Sequence, residues 1–376
     1  PRGWFTPAVL IMAYGLIIFG SIFYAADFSS AQAAADDYWK DGLITVLVAS
    51  LIQNKRIFRY VIWALICSGI FMGTLSVYQY LTGSFSNEFY GFAQAPLLNI
   101  VGDTQGNRVA GPIGDPNFYA QIMVVLVPFA INRMANEKSI YLKLLAGFGV
   151  IVISLSVILT YSRGGFFALV IALIALGFYR PPRLPLFLSL MAVVWIVVLF
   201  LPTTFVDRIS TVTGLIQNKQ DIQVESSFRG RASEMITAWL MFVDHPVLGV
   251  GSHNYPVYYQ QYSRQLGLDP RTTAREPHNL YLEIAAETGI LGILVFGIIV
   301  YFAFRYINFA LVRFKESKDK DFYSLIGAYS AGFIGYLTAA MFIHGAYPRY
   351  FWLLAGIAYS LKHIAKKEIN HQYMKD

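Results

Sequence analysis

The sequence is dominated by apolar runs that are long enough to cross a lipid bilayer. A transmembrane helix needs about 20 predominantly apolar residues, and runs such as LLAGFGVIVISLSVILT (144–160) approach this length without a charge. Of the 376 residues, 56% are hydrophobic and 14% are charged, whereas soluble domains carry about 25% charged residues. A β-barrel would instead show short alternating segments. The sequence therefore predicts an all-α polytopic membrane protein.

Polar, proline and glycine residues divide the apolar sequence into about ten predicted transmembrane helices. The second is the weakest, because only GLITVLVASLI is apolar within it. The start, PRGWFTPAVLIM, shows neither an initiator methionine nor a signal-peptide cleavage pattern. We therefore expect a longer chain with further helices before residue 1. The predicted spans are 4–26, 40–53, 60–81, 117–132, 142–160, 164–179, 184–201, 284–304, 322–343 and 348–364.

Lysine and arginine residues in the short connections set the predicted orientation, because they concentrate on the cytoplasmic side of a membrane. Every second connection is basic, and the alternation holds across all predicted spans. The net charge of +7 mostly reflects this bias, so it does not indicate a nucleic-acid partner. The basic set, predicted to be cytoplasmic, is Lys55, Arg56, Arg59, Arg133, Lys138, Lys143, Arg180, Arg183, Arg305, Arg313, Lys315, Lys318, Lys320, Lys362, Lys366 and Lys367.

The predicted spans group the chain into three regions. Residues 1–201 form an N-terminal transmembrane bundle with an outer loop at 82–116, and residues 284–376 form C-terminal helices with a basic cytoplasmic tail. Between them, residues 202–283 form an extracytoplasmic loop that is long enough to indicate a function of its own.

Part of this large loop, SSFRGRASEMITAWLMFVDHP, predicts an amphipathic helix that stops before Pro246. We expect the helix to lie on the membrane surface or on the transmembrane bundle. Its predicted apolar face comprises Phe228, Ala232, Met235, Ile236, Trp239, Phe242 and Val243.

Two arginines stand at the predicted outer boundary of the membrane. Arg163 interrupts an apolar stretch in VILTYSRGGFFALVIA, and lipid does not solvate an arginine there. The following glycines allow a ligand to approach the backbone, and a guanidinium matches phosphate with two hydrogen bonds. Alternatively, Arg163 only anchors its helix at the membrane interface. Arg231, at the edge of the amphipathic helix, fits either a ligand contact or a side chain that binds lipid phosphate.

The segment REPHNLYLEIAAETGILG (275–292) places polar residues at the start of an apolar run. Pro277 suits the first turn of a helix predicted over 277–304. His278 would then lie where the helix dipole disfavours a second positive charge, so the imidazole can accept a proton. Residues spaced by four form a polar stripe that must face the bundle or a wet cavity. The stripe comprises Asn279, Glu283 and Glu287.

Several kinds of chemistry are not indicated by the sequence. It has no metalloprotease, P-loop or nucleophile-elbow motif, and the single cysteine, Cys67, excludes a disulfide framework. The acidic DDYW (36–39) is interpreted as a topology determinant in a loop. We therefore predict no catalytic metal and no cofactor. With Arg271 and Arg275 as further cations, the outer face suits a phosphorylated substrate, whose leaving group fixed arginines can stabilise in place of a metal.

A set of four motifs resembles the O-antigen ligase and O-antigen polymerase family. They are RVAGPIGDPNFYA, SRGG, the pattern R…A…DHPVLGVGSHNY and PHNLYLEIAAETGILG, and they cover roughly residues 108–300 in the family's order. The set is specific, and HNxYLExxxExG is its strongest member.

The resemblance implies transfer of a glycan from a polyprenyl pyrophosphate carrier at the periplasmic face of the bacterial inner membrane. A ligase passes the glycan to a lipid A core sugar, and a polymerase passes it to another lipid-linked repeat unit. Both are implied to be metal-independent and inverting. Arg163 and Arg231 match the family's pyrophosphate-binding arginines, and His278 matches its catalytic base.

The resemblance also implies a wider substrate-binding set, and it has one departure. Met235 stands where family members often have tryptophan, so Arg229 competes with Arg231 for the second arginine position. The spacing to DHP favours Arg231. The further substrate-binding residues implied are Arg275, Asn279, Tyr281 and Glu283.

A membrane transporter is the alternative from another functional class, because intramembrane charges often mark a substrate pathway. Transporters typically show inverted repeats and helices broken near the midplane. The sequence shows neither sign, and its polar groups collect on one side. Glycan transfer, with membrane lipids as surroundings and no nucleic-acid partner, is therefore the preferred interpretation.

Overall fold

A computed structural model of the chain describes residues 5–101, 104–179, 226–265, 275–345 and 348–373. The predicted span 184–201, Arg271 and parts of the large loop lie outside these ranges. Within them the structure is mostly helical. The helices are α1 (Phe5–Ser21), α2 (Phe28–Leu51), α3 (Lys55–Thr82), α4 (Pro116–Asn136), α5 (Ile140–Leu159), α6 (Arg163–Tyr179), α7 (Ser226–Asp244), α8 (Tyr255–Gln265), α9 (Leu280–Glu316), α10 (Lys320–Ala339) and α11 (Pro348–Tyr373).

Each predicted span within the described residues overlaps a helix. By length and composition, α3, α4, α5 and α9 are long and apolar enough to cross a membrane. Pro7–Ser21 within α1 and Arg163–Tyr179 are shorter apolar helices. These helices support a multi-pass membrane protein, and a total of about ten crossings stays a prediction.

Helix α2 is longer and more polar than the predicted span 40–53. It begins at Phe28, where the Asp27 side chain accepts hydrogen bonds from the backbone N–H groups of Ser29 and Ser30. The DDYW residues therefore lie inside a helix, and the prediction of a loop there was wrong. The reason is that this strong cap starts the helix three turns before the apolar run.

By its internal contacts the chain divides into two compact units. The first comprises Pro1–Phe58, Ser226–Asp319 and Ala340–Asp376, and the second comprises Arg59–Glu225 and Lys320–Ala339.

In the second unit, helices pack closely at small residues. A Cβ added at Gly332 of α10 would lie 2.6 Å from the Val125 carbonyl oxygen of α4, which is the close approach that glycine permits between membrane helices. The predicted outer loop 82–116 contains a short antiparallel hairpin of β1 (Leu97–Val101) and β2 (Thr104–Asn107).

In the first unit, α9 is broken at Gly289, whose φ of 64° and ψ of −162° are not helical. The turn Pro246–Gly251, which we call the docking turn, fills this break. Val250 N–H donates to the Ala286 carbonyl (2.9 Å), and Ile290 N–H donates to the Pro246 carbonyl (2.8 Å). In an unbroken helix, Ile290 N–H would bond to Ala286 instead. The docking turn thus supplies the backbone partners that the break removes.

The prediction of one continuous helix over 277–304 was wrong in two respects, the start of the helix and its continuity at Gly289. Helix α9 starts at Leu280, because the Asn279 side chain caps it by accepting from the N–H groups of Tyr281 and Leu282. Its break was missed because a glycine within an apolar run gives no sign of a chain packing against it. The freed carbonyls bond to protein backbone, unlike the cavity-lining carbonyls of a transporter's broken helix.

We predict that Gly289→Ala destabilises the first unit by at least about 2 kcal/mol, since a side chain is strained at positive φ. The added Cβ would also lie 2.3 Å from the Val247 carbonyl oxygen. Thermal unfolding of the purified chain in detergent measures the change. Gly297→Ala is the matched control, because it lies in the same helix with nothing within 4 Å of its added Cβ. Equal unfolding temperatures for the two variants would contradict the proposed docking role.

Candidate active site

Helix α7 turns its polar and small residues inward. The predicted apolar face contains Ile236, Trp239 and Val243, which are exposed. Lipid can cover such a face, which is compatible with the first of the two predicted placements, on the membrane surface. The residues of the helix that are buried are Gly230, Ser233, Glu234, Thr237, Ala238 and Met241.

The inward face of α7 brings Glu234 against His278. A Glu234 carboxylate oxygen lies 2.7 Å from His278 Nδ1. The Glu234 side chain is 2% exposed, whereas the His278 side chain is 26% exposed. The carboxylate is therefore closed off within the protein, while the imidazole can still be reached from outside.

This contact determines which ring nitrogen of His278 is available. An ionised carboxylate only accepts hydrogen bonds, so the neutral imidazole carries its proton on Nδ1 and donates it to Glu234. The lone pair of a neutral ring is then on Nε2, which is the nitrogen that can accept a proton from a ligand. The helix dipole is a less direct influence than predicted, because His278 precedes the cap of α9 and does not lie in its first turn.

Further contacts fix Glu234 in place. Tyr255 Oη donates to the Glu234 main-chain carbonyl (2.7 Å), which ties α7 to the first residue of α8. Arg275 Nη1 lies 3.9 Å from the other carboxylate oxygen of Glu234.

The neighbouring carboxyl of Glu276 is affected by this environment. Its burial, and next the charge of Glu234, raise the pKa of Glu276 to about 7. The site thus holds a carboxylate, an imidazole and a guanidinium within a short distance of one another.

The polar stripe of α9 is buried, and its side chains bind backbone groups. Glu287 accepts from the N–H groups of His253 (2.8 Å) and Tyr255 (3.1 Å), which lie just after the docking turn. Glu283 accepts from Gly345 N–H at 2.6 Å. Asn279 donates to the Met341 carbonyl (3.2 Å) besides capping α9. Asn279 and Glu283, predicted to bind substrate, therefore also hold the framework around His278.

The remaining predicted residues are placed as follows. Arg231 lies one turn before Glu234 on α7 and is half-buried, so the two side chains occupy the same part of the helix surface. Tyr281, in the first turn of α9, is half-buried. Arg229 belongs to α7, but its side chain lies outside the described residues.

Arg163 belongs to the second unit, where it is the first residue of α6 and is half-buried. The chain turns sharply before it, since Tyr161 has a φ of 52°. Gly165, predicted to admit a ligand, instead admits a neighbouring helix: an added Cβ would lie 2.6 Å from Ala120 Cβ of α4.

Two features of the site were not predicted from the sequence. Glu234 follows Arg231 by three residues on the face opposite the apolar residues, and that face usually meets water, so nothing in the sequence indicated that Glu234 points inward. His344 gave no signal, because it lies between α10 and α11. Its ligand atom and those of Glu276 and Glu283 all lie within 4.8 Å of one another, a grouping that could hold a metal ion. The sequence had predicted no such cluster.

Residues 148–297 match the model of a family described as O-antigen ligase. The chain resembles the O-antigen ligase family. This match confirms the resemblance found in the motifs, and the matched residues include Arg163, Arg231, Glu234 and His278.

Comparison with other proteins adds one structure. No curated protein matches the chain. A solved structure of a peptidoglycan synthase complex, described as coordinating polymerization and crosslinking, contains a similar chain at 14% sequence identity and a TM-score of 0.44. The similarity covers 97% of this chain and 98% of that chain.

The O-antigen ligase match supports an enzyme of the glycosyltransferase type that acts on lipid-linked glycans. Together with the apolar helices, it supports a multi-pass membrane protein.

Proposed function

We propose that the chain transfers a glycan from a polyprenyl pyrophosphate carrier to a sugar hydroxyl, with His278 as the general base. The observation that carries this proposal is the 2.7 Å contact between buried Glu234 and the accessible imidazole of His278. A base whose second nitrogen is held by a carboxylate is a recurring arrangement for proton abstraction. Its position beside Arg275 suits a substrate that carries negative charge.

The donor's pyrophosphate is assigned to arginines. Arg231 shares a helix face with Glu234, and Arg275 lies 3.9 Å from that carboxylate, so both belong to the surroundings of His278. Arg163 is assigned the same task from its match to the family motif. Guanidinium groups form paired hydrogen bonds to phosphate oxygens and remain charged at any physiological pH.

In the proposed step, the acceptor hydroxyl gives its proton to His278 Nε2, and its oxygen attacks the anomeric carbon of the donor sugar. The bond from that carbon to the pyrophosphate oxygen breaks on the opposite face, so the configuration inverts. The electron pair leaves with the pyrophosphate, whose charge the arginines stabilise. Glu234 stabilises the imidazolium that forms. No step is assigned to a metal ion or other cofactor.

We place the reaction at the periplasmic face of the bacterial inner membrane, with a lipid A core sugar as the acceptor. A polymerase of the same family would use the same residues with another lipid-linked repeat unit as acceptor. A deletion strain separates the two. Long lipid-linked glycan left unattached to the core supports the ligase, and core bearing a single repeat supports the polymerase.

We expect His278→Ala to lower kcat by about 10²–10⁴-fold, which is the usual contribution of a positioned base. Binding of the polyprenyl pyrophosphate donor should stay within about twofold, because the base acts on the acceptor. Single-turnover transfer by the purified chain, with donor binding measured separately, tests this.

His245→Ala is the matched control for His278→Ala, since His245 is exposed and forms a ring contact with Tyr258. It should retain wild-type transfer. Full activity in the His278 variant would exclude the assigned base.

Glu234 is proposed as a positioning residue, so Glu234→Ala should lower kcat by about 10–100-fold, as loss of an orienting partner typically does. KM for the donor should change little. Glu234→Gln, which keeps an acceptor oxygen for His278 Nδ1–H, should recover part of the loss. Because both residues act in one step, the double variant with His278→Ala should be no slower than His278→Ala alone. Multiplying losses would show that Glu234 acts independently of His278 and does not position it.

Arg163→Lys tests the assigned phosphate contact, because lysine keeps the charge but not the paired hydrogen bonds. We expect at least about a tenfold lower kcat/KM for the donor, equivalent to about 1.4 kcal/mol. Arg264→Lys is the control, since Arg264 is exposed and contacts Gln260. Undiminished turnover in Arg163→Lys would identify Arg163 as an interfacial anchor.

A further inference from the structure

Three ligand-bearing side chains meet beside His278 without belonging to the proposed transfer step. Glu276 lies two residues before His278, Glu283 lies in the first turn of α9, and His344 lies between α10 and α11. One ligand atom from each lies within 4.8 Å of the other two. Glu276 and Glu283 lie close together in the sequence at the start of α9, whereas His344 comes from a distant segment of the first unit, so the fold brings His344 to the two carboxylates.

Among the residues that the structure describes, the two carboxylates of this group are not paired with a lysine or an arginine. In the described part of the chain, no lysine or arginine forms an ion pair with Glu276 or Glu283. Arg275 and His278 contact Glu234 instead. Two carboxylates this close are stabilised by a proton, held on a carboxyl group or on the His344 ring, or by a cation between them.

The geometry favours a cation. Glu283 is buried, and it accepts a hydrogen bond from Gly345 N–H at 2.6 Å, so its carboxylate is held in a fixed position. His344 adds a nitrogen ligand of the kind that zinc and manganese accept together with carboxylates. Ligands around one such ion at about 2.1 Å are at most about 4.2 Å apart. Small side-chain rotations from the observed 4.8 Å limit would therefore suffice.

We propose that Glu276, Glu283 and His344 form a binding site for one divalent cation of the zinc or manganese type. The ion joins the segment before α9 to the segment that follows α10, and so holds the backbone that carries His278. It acts on structure and does not contact the donor. The proposal does not rest on the proposed glycan transfer.

The His278 and His344 rings support this arrangement. Their centroids lie 6.1 Å apart in an edge-to-face contact. A ligand that fixes His344 therefore also fixes a surface against which the His278 ring packs.

The test uses the full chain in detergent, treated with EDTA and then titrated with Mn²⁺. The electron paramagnetic resonance signal of free Mn²⁺ reports binding, and Zn²⁺ is added as a competitor. We expect one Mn²⁺ per chain, displaced by Zn²⁺, together with an upward shift in unfolding temperature. His344→Ala and Glu276→Gln should each weaken binding by at least about tenfold, as loss of a ligand or its partner typically does.

His245→Ala is the matched control for adventitious binding to an exposed histidine, and it should bind Mn²⁺ as the wild type does. Undiminished binding in both ligand variants would overturn the assigned site. The absence of stoichiometric Mn²⁺ binding by the wild type would also overturn it. A shared proton in place of a cation predicts that absence together with an unchanged unfolding temperature in Glu276→Gln. Transfer activity is not the readout, so failure here is distinct from failure of the proposed function.

Discussion

The packing of the docking turn into the break of α9 is the interaction on which the site depends. At Gly289 the helix gives up its regular hydrogen bonds, and Val250, Gly251 and Pro246 supply the replacements. Glu287 then binds the backbone N–H groups that follow the turn. Buried backbone groups are costly to leave unpaired. The break in α9 and the docking turn with the residues after it therefore each need the hydrogen bonds that the other supplies. They fix the end of α7 and the start of α8 against α9.

That packing explains how the Glu234 carboxylate on α7 reaches the imidazole of His278, which lies just before α9. Glu234 lies on α7, ten residues before the helix ends, and Tyr255 at the start of α8 bonds to its carbonyl. With α7 held in this way, the Glu234 side chain reaches His278. The imidazole remains accessible while its partner is buried, and this is the combination a base needs to act on an external hydroxyl.

Much of the helical architecture could be predicted from the sequence, and the errors have identifiable causes. The apolar runs predicted α3, α4, α5 and α6 closely, because membrane burial requires long apolar segments. Helix α2 was predicted too short, since its cap at Asp27 lies well before the apolar residues. The apolar face of α7 was predicted from the sequence, and three residues on it, Ile236, Trp239 and Val243, are exposed. In a bilayer, an apolar face can point away from the protein.

The sequence by itself determined the membrane class, the helical segments and the family resemblance, because hydropathy and motif order are properties of local sequence. It also pointed to Arg163, Arg231 and His278. Only the tertiary structure decided which carboxylate holds His278, since Glu234 is 44 residues away. It likewise decided that Glu276 and Glu283 meet His344, and that Gly289 receives a turn of the chain. Such pairings depend on how helices pack, and packing is set by the sum of many distant contacts that no local pattern records.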